Sequence, residues 1–291
     1  MIEPGTMAWV ERQLPGGERV TGVEVLHGGL TAAMRRLHVE PGRDLVLRTY
    51  VGADYAVEDL ERESTALRLL VGGGVTAPEL IAVDAKEHMS LLMTHLPGRP
   101  VYVDAGLEAR LLLLAEQLVW IHRTQLAERL PEFKTWTTAE TVVVPDDGDA
   151  DVWRRAIDVI RAPKPEYDGC FLHRDFHPGN VLFDDDAEIS GVVDWAGACW
   201  GPADLDVAHC CTNLALLHGP EWAPRFVAAY EKAGGVLADE DDHTYWLIRD
   251  ALSFSEDLGP VAQVWRQMGR PELTTQLAAE RLDTYLTMLL S

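Results

Sequence analysis

His173-Arg-Asp-Phe-His-Pro-Gly-Asn180, followed fourteen positions later by Asp194 at the end of Gly191-Val-Val-Asp194, decides how this chain is read. The spacing D-x-x-x-x-N puts a carboxylate and an amide oxygen on one short loop, and Asp194 ends a second apolar run. Phosphoryl transfer needs little more. One carboxylate orients the acceptor hydroxyl as it sheds its proton, and oxygen ligands hold the Mg²⁺ that bridges the phosphates. Asp175 suits the first role, and Asn180 and Asp194 suit the second. The motif H-x-D-x-x-x-x-N alone arises often by chance, but loop, spacing and the following strand-plus-Asp together are specific.

Outward from this loop, residues 20–50 read as three short strands, with VEVL before the turn HGGLT, then MRRLHV, then LVLRTY after the turn EPGRD. Val57, Leu60, Ser64, Leu67 and Val71 recur at helical spacing, and Gly72-Gly-Gly74 ends that helix. LIAVD and SLLMT read as two more strands, and His95-Leu-Pro-Gly98 as a linker. Beyond it the chain turns mostly helical, apart from the catalytic loop and the hairpin VLFDDDAEISGVVD. There is no internal repeat and no low-complexity tract.

Two motifs, HRDFHPGNVLF and GVVDWAGACWGPADLDVA, carry a resemblance to the aminoglycoside phosphotransferase and choline kinase-like family of small-molecule kinases. A Pro-Gly precedes Asn180, and Gly201-Pro202-Ala-Asp-Leu-Asp206-Val-Ala208 follows Asp194 in that family's manner. Protein kinases have D-F-G and later A-P-E here; this chain has D-W-A and no A-P-E, which makes a protein the less favoured acceptor. The resemblance implies an α+β, bilobal, protein-kinase-like fold with an N-terminal antiparallel sheet plus one helix and a mostly helical C-terminal lobe. The expected division is a nucleotide-binding lobe over 1–96 and a helical lobe over 97–291 with the catalytic loop and acceptor site.

Within the first lobe, Gly28, Gly29 and Thr31 sit between two strands, where glycines let backbone N–H groups approach phosphate; alone, a Gly-Gly there is more often a tight turn. Arg48 occupies the third-strand position where kinases place a phosphate-gripping lysine. A guanidinium is not interchangeable with an ammonium, but the apolar neighbours in LVLRTY favour a paired role over a solvated one. Its partner should be a carboxylate of the next helix. Glu61 and Glu63 both lie about 80° from the centre of the apolar stripe, so helical geometry cannot choose; the resemblance selects Glu63. The resemblance alone also assigns the adenine edge to Met93–Leu96, with Thr94 and Leu96 as the contacts.

Composition bounds the rest. At 291 residues, 47% hydrophobic and 25% charged, the chain reads as globular. The N-terminus MIEPGTMAWVERQ lacks the basic start and apolar core of a signal peptide. No apolar run reaches the roughly 20 residues of a spanning helix. Four cysteines without C-x-x-C spacing read as reduced core thiols, which points to the cytoplasm. The net charge of −22 is concentrated in the second part, with 16 basic against 33 acidic residues from Gly98 onward. Such a surface repels nucleic acid and anionic lipid and attracts cations, although solubility alone accounts for many acidic surfaces.

On the loop, His173 is expected to brace by hydrogen bonding, Arg174 to counter a carboxylate or be solvated, and Asp206 to cap a helix or tie the loop down. Two histidines, His173 and His177, flanking an Asp match no standard zinc spacing. Acceptor contacts are expected in the C-terminal helices, from Trp246, Asp250, Glu256 and Asp257 with Tyr245 nearby; carboxylates suit an amino group and aromatic faces a quaternary ammonium. The reading that results is an ATP- and Mg²⁺-dependent phosphotransferase acting on a hydroxyl of a small cationic molecule (aminoglycoside-like, aminosugar or amino alcohol), as a monomer or homodimer. The alternatives are a kinase-shaped nucleotide- or partner-binding module with little catalysis and, less favoured, a protein kinase.

Overall fold

A two-residue side-chain period in the third strand organises the first half of the molecule. The computed structural model describes residues 2–26, 32–52 and 56–291. Helix α1 (Pro4–Gln13) is followed by strands β1 (Arg19–Leu26), β2 (Ala32–Glu40) and β3 (Arg43–Tyr50), then helix α2 (Ala56–Leu70), β4 (Leu80–Asp84) and β5 (Ser90–Thr94). The strands form one antiparallel sheet in the order β1-β2-β3-β5-β4. Successive residues of a strand face opposite sides. Leu45 and Leu47 of β3 join Trp9 and Val10 of α1 in one apolar cluster, while Val46 and Tyr50 join Leu60 and Leu67 of α2 in the other. Arg48 shares the second face. Helix α1, which the sequence reading did not name, is thus the cover that lets β3 be apolar on both sides.

The buried face of α2 differs from the expected stripe. Leu60, Glu63, Ser64, Ala66, Leu67 and Leu70 are buried, whereas Val57 is 45% exposed and Val71, just past the helix, 70% exposed. The face is rotated about 60° toward Glu63 relative to the stripe drawn through Val57 and Val71. The buried cation accounts for this: a helix that turned its pure apolar arc inward would take from Arg48 its fully buried counter-charge, Glu63.

After the sheet the chain passes through His95–Gly98 and is stitched to the second half by antiparallel hydrogen bonds between Arg99 and Phe183, at 3.0 and 2.9 Å. Gly98 has φ +94°, and a Cβ there would lie 2.6 Å from the Phe183 carbonyl oxygen. Helices α3 (Leu107–Arg123) and α4 (Ala150–Arg161) come next, then strands β6 (Cys170–Leu172), β7 (Val181–Phe183), β8 (Ile189–Val192) and β9 (Cys199–Gly201). β6 pairs with β9 and β7 with β8, so the loop 173–180 is the connection between two small ribbons. Helix α5 (Ala203–His218), buried along almost its whole length, is the central post. Helices α6 (Trp222–Lys232), α7 (Glu240–Leu252) and α9 (Thr275–Leu289) pack on it, and α8 (Gly259–Gln267) packs on α9.

The acidic run 239–242 starts α7: the Asp239 side chain accepts from Asp242 N at 3.1 Å, and Glu240 to Asp242 fill the first turn. Negative charge there satisfies free N–H groups and complements the helix dipole. Among the described residues no helix is long and apolar enough to cross a membrane. Gly98→Ala should cost roughly 1–3 kcal/mol of unfolding free energy, because a side chain there meets both a left-handed φ and a backbone oxygen; chemical denaturation would show the loss, and an unchanged midpoint would contradict it.

Candidate active site

The loop 173–180 is hung from one buried carboxylate. Asp206, at the start of α5 and 0% exposed, accepts from the backbone N–H groups of His173 (2.8 Å) and Arg174 (2.6 Å). His122 of α3 approaches the same carboxylate at 3.1 Å and is itself held by the Tyr230 hydroxyl at 2.7 Å. Burial would raise the Asp206 pKa, but His122 and these donors hold it below the ordinary 3.8. His173 braces the loop from the other side. Its Nε2 bonds the Val193 carbonyl at 3.0 Å, and its Nδ1 accepts from Asp175 N at 3.3 Å, which fixes the hydrogen on Nε2. Arg174 at φ +71° and Asp194 at φ +66° both occupy the left-handed region, strain of the kind found at functional sites.

These anchors bring Asp175 and Asn180 together and set Asp194 next to their loop. Val193 N donates to the Asn180 carbonyl at 2.9 Å, which sets the residue before Asp194 against the loop. Asn180 Nδ2 donates to the Asp175 carbonyl (2.8 Å) and to its Oδ2 (3.0 Å), leaving the amide oxygen of Asn180 free. Among the described residues, neither that oxygen nor Asp194 Oδ2 takes a hydrogen bond. Two such oxygens beside a carboxylate fit a hard divalent cation that keeps most of its ligands from phosphate and water. Gly179 is required here: a Cβ would lie 2.6 Å from the His177 ring and from the Tyr102 hydroxyl.

Arg48 reaches Asp194 from the sheet. Its Nη1 donates to Glu63 Oε1 at 3.0 Å and to Asp194 Oδ1 at 2.8 Å. Glu63, 1% exposed, also accepts from Trp195 N (3.3 Å) and, at Oε2, from the Tyr50 hydroxyl (2.5 Å). Burial and Asp194 lift the Glu63 pKa, opposed by Arg48 and by the hydrogen bonds from Tyr50 and Trp195. Glu61 has no part in this.

The environment of Asp175 is crowded with histidine. His209 of α5 places Nε2 2.9 Å from Asp175 Oδ1 and Nδ1 3.1 Å from Asp250 Oδ1. Burial would raise the pKa of Asp175, but the bond from His209 and the charge of the nearby rings hold it well below the usual carboxylate range. Burial pushes His177 down to about 4, whereas Asp250 and Asp175 outweigh burial at His209 and lift it to about 10. Arg174 is buried, with its guanidinium 3.5 Å from the centre of the Trp136 ring and its Nη1 3.9 Å from Asp250 Oδ1.

The profile of the family described as "APH: Phosphotransferase enzyme family" matches residues 22–243. The chain belongs to this phosphotransferase family. Among similar proteins is an N-acetylmuramate/N-acetylglucosamine kinase from Pseudomonas aeruginosa, 28% identical over 77% of this chain and 71% of that one. Two solved structures share the fold. Aminoglycoside-3'-phosphotransferase of type VIII superposes with a TM-score of 0.62 at 23% identity, covering 84% of this chain and 98% of that one. A thermostable mutant of aminoglycoside phosphotransferase APH(4)-Ia, in ternary complex with AMP-PNP and hygromycin B, gives 0.65 at 18% identity and 98% coverage of both. This phosphotransferase is therefore an enzyme, a small-molecule kinase with an alcohol group as acceptor, on the expected kinase-like fold.

Of the other expected site residues of the phosphotransferase, some lie outside the described residues and some are buried. Gly28, Gly29 and Thr31 lie outside the described residues. Trp246 is 1% exposed and sealed edge-on by Phe133, Tyr167 and Tyr245, so it offers no face to a ligand. Asp250 is 3% exposed and turned onto His209, not toward solvent. Its burial behind His209 corrects the expectation of an acceptor contact. Glu256 and Asp257 are exposed, shortly after Phe254, whose ring stacks on His209 at 5.8 Å. Thr94 ends β5, its hydroxyl accepting from Glu79 N at 2.8 Å; the N–H of Leu96 has no partner among the described residues.

Two residues were missed. His209 meets Asp175 from α5, and Trp136, 47% exposed beside it, sits in an irregular segment. No local spacing connects them to the loop; only a lone His directly after the D-x-A of Asp206-Val-Ala208 could have raised the question. For the anchor, Asp206→Asn should cost roughly 3 kcal/mol at neutral pH, since an amide puts a donor against N–H groups. Because the folded pKa is depressed, the wild-type advantage should be complete above the ordinary 3.8 and shrink as pH falls through the folded value. A denaturation series from neutral to acid would test this; a constant difference would refute it.

Proposed function

We propose that this enzyme transfers the γ-phosphoryl group of ATP, with Mg²⁺, to a hydroxyl of a small cationic sugar-like molecule such as an aminosugar. The observation that supports the reading is that Asn180 bonds Asp175 and the backbone next to Asp194, with ligand oxygens of Asn180 and Asp194 free of hydrogen bonds among the described residues. Asn180 and Asp194 would hold the cation, which supplies charge neutralisation for the phosphates. Arg48 Nη2, free of hydrogen bonds among the described residues, would bind phosphate, kept in place by Glu63. The free N–H of Leu96, with Thr94 beside it, suits an adenine edge, and Gly28, Gly29 and Thr31 would cover the phosphates. The solved structure with AMP-PNP supports a nucleotide in a fold of this kind.

Asp175 would accept the acceptor's proton as the new oxygen–phosphorus bond forms and the bond to the nucleotide breaks. With its basicity lowered, its main contribution is orientation, with proton transfer late along the reaction. Trp136 supports a sugar-like acceptor. One of its faces covers Arg174, and the half-exposed ring lies against His209, one residue's reach from the base. Glu256 and Asp257 offer carboxylates to an amino group. The N-acetylmuramate/N-acetylglucosamine kinase supports a sugar-like acceptor. The four free cysteines, three of them buried, suit the cytoplasm.

A mass-shift screen of aminosugars, aminoglycosides and amino alcohols with Mg-ATP should reveal one added phosphate on at least one aminosugar; none on any compound would sink the reading. Asp175→Ala should reduce turnover by about 100-fold or more while leaving nucleotide affinity nearly intact, and residual activity within about tenfold would refute the role of the base. Trp136→Ala should raise the acceptor KM by about tenfold with the nucleotide KM unchanged, as loss of one aromatic platform requires; equal effects on both would remove Trp136 from the acceptor site.

A further inference from the structure

His209 is a buried group that the reaction as described does not use. It is 5% exposed and places one ring nitrogen against each of two carboxylates, Asp175 Oδ1 at 2.9 Å and Asp250 Oδ1 at 3.1 Å. A carboxylate oxygen offers only lone pairs, so each approach is attractive only if the nitrogen carries a hydrogen. Both together make the ring an imidazolium. Asn213 Nδ2 lies 3.2 Å from the same Nε2 but has the His209 carbonyl as acceptor at 3.0 Å, so it does not need that nitrogen's lone pair. Charge balance agrees. Asp175 and Asp250 contribute two negative charges, and Arg174 and an ionised His209 contribute two positive ones; a neutral ring would leave an uncompensated charge in a largely buried cluster.

We propose that His209, backed by Asp250, is a positioning residue for Asp175, clamping one carboxylate oxygen so that the other faces the acceptor hydroxyl. This rests on the assignment of Asp175 as the orienting base. Oδ1 is held from α5 by its 2.9 Å ion pair with His209 and Oδ2 from the loop by Asn180 Nδ2 at 3.0 Å, so rotating the carboxylate breaks an ion pair and a hydrogen bond anchored in different elements. The clamp moves no net proton. It narrows the orientations of a group whose contribution is geometric, where a misplacement of about 1 Å costs on the order of 10²-fold.

The same side chains do not make a metal centre. Asp175, His177 and His209 have ligand atoms within 4.8 Å of one another. Yet His177 Nδ1 accepts from Gly179 N at 3.0 Å, so a neutral His177 carries its hydrogen on Nε2, the atom turned toward Asp175 at 3.9 Å. His209 Nε2 is likewise protonated. Two N–H groups facing the gap oppose a cation.

The groups facing His209 are Asp175 and His177 from the loop, Asp250 from α7, and the rings of Trp136 and Phe254, with Arg174 behind Asp250. In the full chain labelled with ¹⁵N-histidine, the His209 signal, identified by its loss in His209→Asn, should be doubly protonated at about pH 8, above the ordinary 6.5. In Asp250→Asn it should titrate at markedly lower pH. With the acceptor that turns over, His209→Asn should lower kcat about 100-fold with the nucleotide KM unchanged. Asp250→Asn should lower it less at neutral pH and progressively more on the alkaline side, a profile that a merely structural role would not move. A neutral His209 at about pH 8, or His209→Asn within about threefold of wild-type kcat, overturns the proposal. If His209→Asn does not fold, the Asp250→Asn titration and pH profile decide. Asp175→Ala inactive beside an active His209→Asn defeats the clamp alone; an active Asp175→Ala defeats the base assignment beneath it. The resonance measurement requires no acceptor.

Discussion

Everything at the candidate site depends on the Asp206 carboxylate. Sealed from water, it takes the N–H groups of two consecutive loop residues, and this points Arg174 inward and Asp175 outward in one stroke. The bonds cost the desolvation of a charge, offset by donors on every side. Because Asp206 belongs to α5 and His122 to α3, the loop inherits the rigidity of the helical core. The left-handed Arg174 and Asp194 persist because that surrounding structure over-determines them.

The second constraint is the buried Arg48. A cation in a strand with apolar neighbours demands an anion, and that demand turns α2 until Glu63 faces the sheet. One guanidinium then couples three segments far apart in the chain: β3, α2 and Asp194, two residues past β8. The difference between the expected and observed faces of α2 follows from this. Hydrophobic periodicity weighs Val57 and Val71 as core and cannot weigh a salt bridge whose other half lies in another element.

Legibility followed sequence distance. The strands, α2, the hairpin after the loop and the helical second half were readable because period-2 and period-3.6 patterns and the Gly/Pro turns are local. Asp175, Asn180 and Asp194 were readable because they sit in one contiguous motif. Helix α1 escaped notice: ten residues beginning at Pro4, with only Trp9 and Val10 as apolar buried residues, give a weak signal until the sheet they cover is known. Trp246 and Asp250 were drawn to the acceptor site by residue type alone, and packing assigned one to the core and the other to His209. His209 and Trp136 are invisible to spacing because their partners lie tens of residues away.

The pairing of Arg99 with Phe183 has a mechanical consequence. The covalent crossover from sheet to helices is also a strand-like partner of the ribbon that follows the catalytic loop, with Gly98 pressed against its backbone. It is thus a splint, not a tether. Any flexing of the sheet about the crossover must either carry β7 along or break two backbone bonds, so small rotations transmit as torque to the ribbon that ends beside Asp194 rather than dissipating in slack chain.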